Sequence, residues 1–238
     1  RIPKNIRAVL ERAGRLAQAS KLECYTVGGF VRDLILDVPS KDVDIMVIGD
    51  GLEFARQLGK ELGVPDIVEY GDFGTALIPY GEFLIEVASA RTETYESNSR
   101  KPKVVYTDLK GDLSRRDFTV NAMAINLLPD QFGELVDEYG GIQDLQDKIL
   151  RTPLDPVKTF DDDPLRMMRA ARFSAQLEFT LVDEAMQAMQ STVERISIVS
   201  QERVTDEIVK TLKARVPSIG FYVMQAAGLL PLVFPEIA

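Results

Sequence analysis

Histidine is absent from all 238 residues, and that absence removes whole classes of chemistry. No Ser-His-Asp triad, imidazole general base or His-rich zinc site can be assembled here. Any transfer or hydrolytic reaction must rest on carboxylates, lysine, arginine or a metal held by oxygen atoms, and hard cations such as magnesium take such ligands. Cysteine is nearly absent too. Cys24 is the single one, so no intrachain disulfide can form, and in the stretch Cys24-Tyr25-Thr26-Val27 it reads as a small core residue. No apolar run approaches a transmembrane span, and the start has no signal-peptide pattern. The expectation is therefore a chain with no membrane partner, in the cytoplasm. Positive charge is scarce as well, with a net charge of −9. A phosphate backbone wants a basic surface, so the total argues against a nucleic-acid partner. The distribution is less hostile: from Arg91 to Arg116 there are seven Lys/Arg against four Asp/Glu, a local excess of three positive charges.

What is present is ordinary for a globular protein, 45% hydrophobic and 27% charged. Residues 4–20 carry Ile6, Val9, Leu10, Ala13 and Leu16 at helical spacing. A strand is expected at Cys24–Val27, a helix at Phe30–Leu36, a strand at Asp42–Ile48 and a helix at Leu52–Leu62. Strands follow at Ile67–Tyr70, Thr75–Pro79 and Phe83–Ala88, separated by Gly-Asp-Phe-Gly and Tyr-Gly-Glu turns. Residues 91–110 have few apolar anchors and read as a mobile loop, and 119–127 read as helical. Beyond Thr152-Pro153-Leu154-Asp155-Pro156 nearly everything reads as helix: 163–177, 182–190, 201–213 and 217–227. The expected division is a mixed α+β domain over 1–150 and a helical domain over 151–238. The chain starts at Arg1 rather than Met, and the apolar run near 230–236 ends abruptly, so the natural protein is expected to continue.

Four segments carry chemistry. Gly28-Gly29-Phe30-Val31-Arg32-Asp33 sits between a strand and a helix. Its glycines let a ligand approach the backbone and Arg32 adds charge, which suits a phosphate. A tight turn with a surface arginine is the plainer reading of that pair alone. Asp42-Val43-Asp44 places two carboxylates on one face of a strand, where they repel unless a cation joins them. A solvated acidic strand end fits D-x-D equally well. Arg115-Arg116-Asp117-Phe118-Thr119-Val120-Asn121 suits a sugar hydroxyl and a phosphate, or equally a helix start capped by Asp117. Asp161-Asp162-Asp163-Pro164-Leu165-Arg166-Met167-Met168-Arg169-Ala170-Ala171-Arg172-Phe173 has a capping aspartate before proline, with Asp163 and Arg166 three apart. Arg172 lies about two and a half turns from Asp163, near the opposite side of the helix.

In this order, GGxVRD, DxD, RRDFTxNAM and DDPLRxxRAxRF together resemble the class II tRNA nucleotidyltransferase and bacterial poly(A) polymerase family. The resemblance runs from about Tyr25 to the end. It is joined by Arg91-Thr92-Glu93, Arg100-Lys101-Pro102, Asp137 with Gly140-Gly141, Asp144-Leu145 and Gln201-Glu202-Arg203. It implies an α+β fold, a polymerase-β-like head with a small mixed sheet, followed by an all-helical neck. By the same resemblance Asp42 and Asp44 bind Mg2+, with Glu86 as a third carboxylate. Gly28, Gly29 and Arg32 hold the triphosphate, and Arg116, Asp117 and Asn121 serve ribose and phosphates. Asp163 and Arg166 read the base, while Arg169 and Arg172 complete the nucleotide pocket. Asp162 stands where the family usually has Glu.

The implied reaction is attack of an RNA 3′-hydroxyl, that of tRNA, on the α-phosphate of CTP or ATP, adding C, C and A by a two-metal mechanism. Cytosine and adenine each present an amino donor beside a ring-nitrogen acceptor, which a carboxylate and a guanidinium match. Uracil would set a carbonyl against Asp163, two acceptors face to face. Poly(A) addition, CC-only or A-only addition, and a binding module without chemistry are the alternatives. The family links the 91–110 segment to the switch to A addition, which disfavours the CC-only form. The missing histidine excludes a His/Asp phosphohydrolase domain from these residues, and oligomeric state is not legible.

Overall fold

The computed structural model describes residues 2, 4–71, 74–96 and 99–237, with the backbone alone for 92–96, 99–104 and 237. The chain forms two compact units. Unit 1 comprises Arg1–Glu93, Val104–Ser114 and Asn121–Tyr139; unit 2 comprises Thr94–Lys103, Arg115–Val120 and Gly140–Ala238.

Unit 1 begins with α1 (Lys4–Ala19), whose Ile6, Val9, Leu10, Ala13 and Ala17 form one buried stripe. Burying each of the larger aliphatic side chains contributes about 1.5–3 kcal/mol, so Leu10→Ala alone would cost about 2–5 kcal/mol. The unit then runs through β1 (Glu23–Val27), α2 (Gly29–Ile35), β2 (Asp42–Ile48), α3 (Gly51–Leu62), β3 (Val68–Tyr70), β4 (Thr75–Tyr80) and β5 (Phe83–Ser89). Asp50 caps α3 by accepting from the Glu53 N–H at 3.0 Å, and Gly63 ends it with a left-handed φ of 75°. The Asp72-Phe73 part of the turn before β4 lies outside the described residues.

Next come β6 (Arg91–Glu96) and β7 (Ser99–Tyr106), whose Thr94–Lys103 part is counted with unit 2, and then, again in unit 1, α4 (Leu109–Ser114), β8 (Ala124–Asn126) and β9 (Leu135–Val136). The main sheet has the order β3-β4-β5-β2-β1-β8-β9, with β2 and β5 parallel and the other pairs antiparallel. Its core joins Val43, Ile45, Val47, Ile85 and Val87 to α1 and α3.

Two sequence expectations fail here. The loop expected at 91–110 is replaced, over the described residues 91–96 and 99–106, by β6 and β7, which make a two-stranded sheet, and α4 follows. The threonines, valines and tyrosines there favour strand, and without apolar alternation the pattern concealed it. Residues 119–127 are not a helix. They form a 3-10 turn (Thr119–Asn121) and then β8, which pairs with β1 from Tyr25↔Asn126 to Val27↔Ala124. A short apolar run cannot separate helix from strand, and the open edge of β1 decides.

Unit 2 holds α5 (Gly141–Asp147), β10 (Ile149–Leu150), α6 (Pro156–Asp162), α7 (Leu165–Leu177), β11 (Thr180–Leu181), α8 (Asp183–Thr192), α9 (Gln201–Leu212), α10 (Pro217–Ala226) and α11 (Leu230–Val233). Helix α7 is central and packs on α9 and α10, burying Met167, Met168, Ala170, Ala171 and Ala175. Asp155 caps α6 by accepting from the Val157 N–H at 2.9 Å, with Pro156 in the first turn. Among the described residues no helix is long and apolar enough to cross a membrane.

Candidate active site

In unit 1 the chain leaves β1 through Gly28, at φ 72° and ψ −139°, a region that a side chain would strain. The Gly28 N–H donates to the Met123 carbonyl at 3.2 Å, fixing the turn against the entry to β8. Arg32, one turn into α2, is buried and folds back so that a Cβ on Gly29 would lie 3.4 Å from its Nη2. Its Nε and Nη2 meet Asp33 Oδ1 at 2.9 and 2.8 Å, and its Nη1 donates to Asn121 Oδ1 at 2.7 Å. Asn121, remote in sequence, thus joins the glycine turn by holding its arginine. Burial pushes the Asp33 carboxyl above the usual carboxylate range; Arg32 pulls it down and the Asp42 carboxylate pushes it up.

Asp42 and Asp44 occupy alternate positions of β2, with Val43 and Ile45 turned into the core between and after them. The two carboxylates therefore share one face, Asp42 exposed and Asp44 half-buried, next to Met46, which is covered. The Thr26 hydroxyl donates to the Asp44 carbonyl at 2.8 Å and the Ser40 hydroxyl to the Asp42 carbonyl at 3.0 Å, so the strand end is tied down on both sides. On β5, Glu86 is exposed and stands in register with Asp44. Among the described residues no group of three His, Cys, Asp or Glu is arranged to hold a metal ion. An aspartate pair fits magnesium nonetheless, because that ion commonly takes one or two protein carboxylates and completes its shell with water and substrate phosphates.

In unit 2 the segment 115–120 is held by three anchors. Arg166 Nη2 donates to the Arg115 carbonyl at 2.6 Å, and its Nη1 to the Thr159 carbonyl at 3.3 Å. Asp117, 5% exposed, accepts from Arg169 Nε and Nη2 on one oxygen at 2.7 and 2.6 Å, and from the Phe118 N–H on the other at 2.8 Å. Thr119 donates to buried Asp144 at 2.6 Å, while its N–H meets the Arg151 carbonyl at 2.8 Å. Arg116 is half-buried. Asp163 is the C-cap of α6 and accepts from the Leu165 N–H at 3.2 Å; α7 begins at Leu165 with Pro164 as its N-cap, so Asp163, expected as the N-cap, stands one position before it. Asp162 is paired with Lys158 at 2.7 Å.

Arg169 and Arg172 both lie over the Phe173 ring, at 5.3 and 4.0 Å from its centroid. Burial works to lower the Arg169 pKa, but the Asp117 carboxylate carries it above the ordinary arginine range. Arg172, expected at the nucleotide, is buried and donates through Nε to Glu207 Oε2 at 2.5 Å and through Nη1 to Gln176 Oε1 at 2.8 Å. Burial lowers its pKa, opposed by Glu207. Glu207 escaped the sequence reading. Its signal was available: Val204, Glu207 and Thr211 fall on the buried stripe of amphipathic α9, so an acid there needs a buried cation.

The family described as the poly A polymerase head domain matches residues 24–151, and the probable RNA and SrmB-binding site of polymerase A matches 178–238. An A-adding tRNA nucleotidyltransferase of Geobacter sulfurreducens is 35% identical over 99% of this chain, which covers 27% of that protein. A solved CCA-adding enzyme, apo form II, aligns at TM-score 0.88 and 34% identity, covering 99% of this chain and 56% of its own. A tRNA nucleotidyltransferase complexed with a primer tRNA and an incoming ATP analog aligns at TM-score 0.81 and 34% identity, over 93% of this chain and 62% of its own. This chain thus spans roughly a quarter to three fifths of the length of these relatives. With the head-domain match alone spanning more than half of its residues and both units aligning with solved relatives, the chain belongs to the poly A polymerase head-domain family.

Proposed function

We propose that this chain is the nucleotide-binding and catalytic portion of a tRNA nucleotidyltransferase. It transfers a nucleoside monophosphate from CTP or ATP to the 3′-hydroxyl of a tRNA, completes C, C and A, and releases pyrophosphate. The observation that carries this reading is the Asp42–Asp44 pair on one face of β2, in the same unit as Arg32. Functionally the head is assigned to residues 1–150 and the helical neck to 151–238.

Arg32, held by Asp33 and Asn121, presents a fixed positive charge to the triphosphate beside the bare backbone of Gly28 and Gly29. Magnesium held by Asp42 and Asp44, with Glu86 as neighbour, would lower the pKa of the RNA 3′-hydroxyl and offset charge on the α-phosphate and pyrophosphate. Without a histidine, the protein contributes position and charge. In unit 2, Asp163 accepts from the base's amino group while Arg166, with two of its five donors on carbonyls, donates to the ring nitrogen. Arg116, Asp117 and Asn121 are assigned to ribose and phosphates, and Arg169 to the nucleotide.

A-only addition is the second reading, favoured by the near-complete alignment with the Geobacter A-adding enzyme. Two tRNAs separate them, one ending before CCA and one ending in CC, each incubated with CTP and ATP. Completion of both supports C, C, A addition, and extension of the CC-ended tRNA alone supports A addition. A long ladder of A residues would transfer the protein to poly(A) synthesis, and no incorporation on either RNA would refute the reading.

A further inference from the structure

Glu207 has no role in the function proposed above, and Arg172, expected at the nucleotide, is turned to it instead. In unit 2, two guanidinium groups share one aromatic ring, and each has its own carboxylate from a different segment: Asp117 for Arg169, Glu207 for Arg172. Three of the four side chains are nearly sealed, with Asp117 5%, Arg172 10% and Glu207 4% exposed; Arg169 keeps 35% and is the one that reaches solvent. Phe173 itself is pinned edge-on by Phe118, ring centroids 6.0 Å apart, next to Asp117 in sequence.

The cluster is balanced at two cations and two anions, and that balance is what leaves Asp117 to Arg169. A buried charge without a partner is costly, so a guanidinium stripped of its carboxylate takes the nearest other one. Besides Glu207, the carboxylate that acts on Arg172 is Asp117, placed near it by Arg169 and the shared Phe173 ring, while Arg169 repels it. Lys210 reaches Glu207 Oε1 as well, at 3.5 Å, a longer contact than that of Arg172 and made by a side chain that is itself 55% exposed.

We propose that Glu207 is a positioning residue for nucleotide binding: by occupying Arg172 from α9, it keeps Asp117 committed to Arg169 and holds the Arg169 guanidinium in its outward pose. This rests on the reading of Arg169 as a nucleotide-binding residue. Arg172 then acts from behind the site, through Phe173 and charge balance, not by touching the nucleotide.

The test measures ATP and CTP affinity, KM, kcat and Tm for the full-length protein, Glu207→Gln, Arg172→Gln and the double variant. Glu207→Gln keeps size and a hydrogen bond to Arg172 but leaves its charge unbalanced. It should weaken nucleotide binding and raise KM by about tenfold with kcat little changed, the size of one misplaced charged hydrogen bond. The double variant removes both charges and should return affinity to within about threefold of wild type, though its Tm stays low. A merely structural role would lower Tm without that rescue. If Glu207→Gln does not fold, the double variant still decides: binding within threefold supports the proposal, and a loss beyond tenfold overturns it and makes Arg172 a direct contact. Equal nucleotide binding by wild type and Glu207→Gln overturns this inference alone. Failure of the wild type to bind either nucleotide refutes the functional reading and the inference with it.

Discussion

Asp117→Asn tests the centre of unit 2 at constant shape. The carboxylate accepts two charge-assisted bonds from Arg169, at 2.7 and 2.6 Å, and the Phe118 N–H at 2.8 Å. The amide can keep the backbone bond but turns neutral toward Arg169. Two unit charges about 4 Å apart attract by about 4 kcal/mol at an effective dielectric of 20. Arg169 keeps a third of its surface, so water returns part of that. The expected net loss is therefore that of a hydrogen bond to a charged group, about 1.5–3 kcal/mol. For a chain of this size that lowers Tm by roughly 3–12 °C, measured by calorimetry without nucleotide. Asp162→Asn is the matched control. Its partner Lys158 is exposed at i,i+4, an interaction of about 0.3–0.5 kcal/mol, so Tm should move by less than about 2 °C. Equal shifts for the two variants, or none for Asp117→Asn, would refute the assignment of the Asp117–Arg169 pair as the stronger tie.

Asp42→Ala or Asp44→Ala should abolish transfer while Tm stays within a few degrees, since neither side chain belongs to the buried core; near-normal turnover at saturating magnesium would end the metal assignment. Asp163→Ala should lose discrimination between CTP and UTP more than triphosphate affinity, read as kcat/KM for four NTPs; an equal loss for all four would make Asp163 structural, as in its bond to the Leu165 N–H. Gly14→Ala places a Cβ 1.7 Å from the Leu127 carbonyl oxygen, so α1 must lift from the sheet at a cost of about 3 kcal/mol or more, and an unchanged Tm would contradict that packing. Cys24 is fully buried and burial pushes its thiol pKa far up, so iodoacetamide at pH 8 should label it only after denaturation; rapid labelling of the native protein would contradict its place in β1.

Local pattern was enough for most of the elements. The apolar stripe of α1, the alternation of β2 and the capped run of α3 each carry a period that one segment holds by itself. The same period put Asp42 and Asp44 on one face, because side chains alternate along any strand. The misread segments are those whose structure is completed elsewhere. Residues 119–127 became a turn and a strand because β1 offered an edge, and 91–96 and 99–106 became paired strands because each supplies the other's hydrogen bonds.

Partner choice among the charged residues lay beyond the sequence for the same reason. The order of motifs named Arg32, Asn121, Asp117, Arg169 and Arg172 as a set, since each residue type announces the charge or hydrogen bond it can offer. Only the tertiary structure decided that Asn121, 89 positions away, holds Arg32. It also gave Asp117 to Arg169, and gave Arg172 to Glu207, which no motif had singled out. A carboxylate's type is written in one residue, but which guanidinium it neutralises depends on burial and on which segments the core brings within 3 Å of each other. Those are properties of the packed chain, not of any stretch of it.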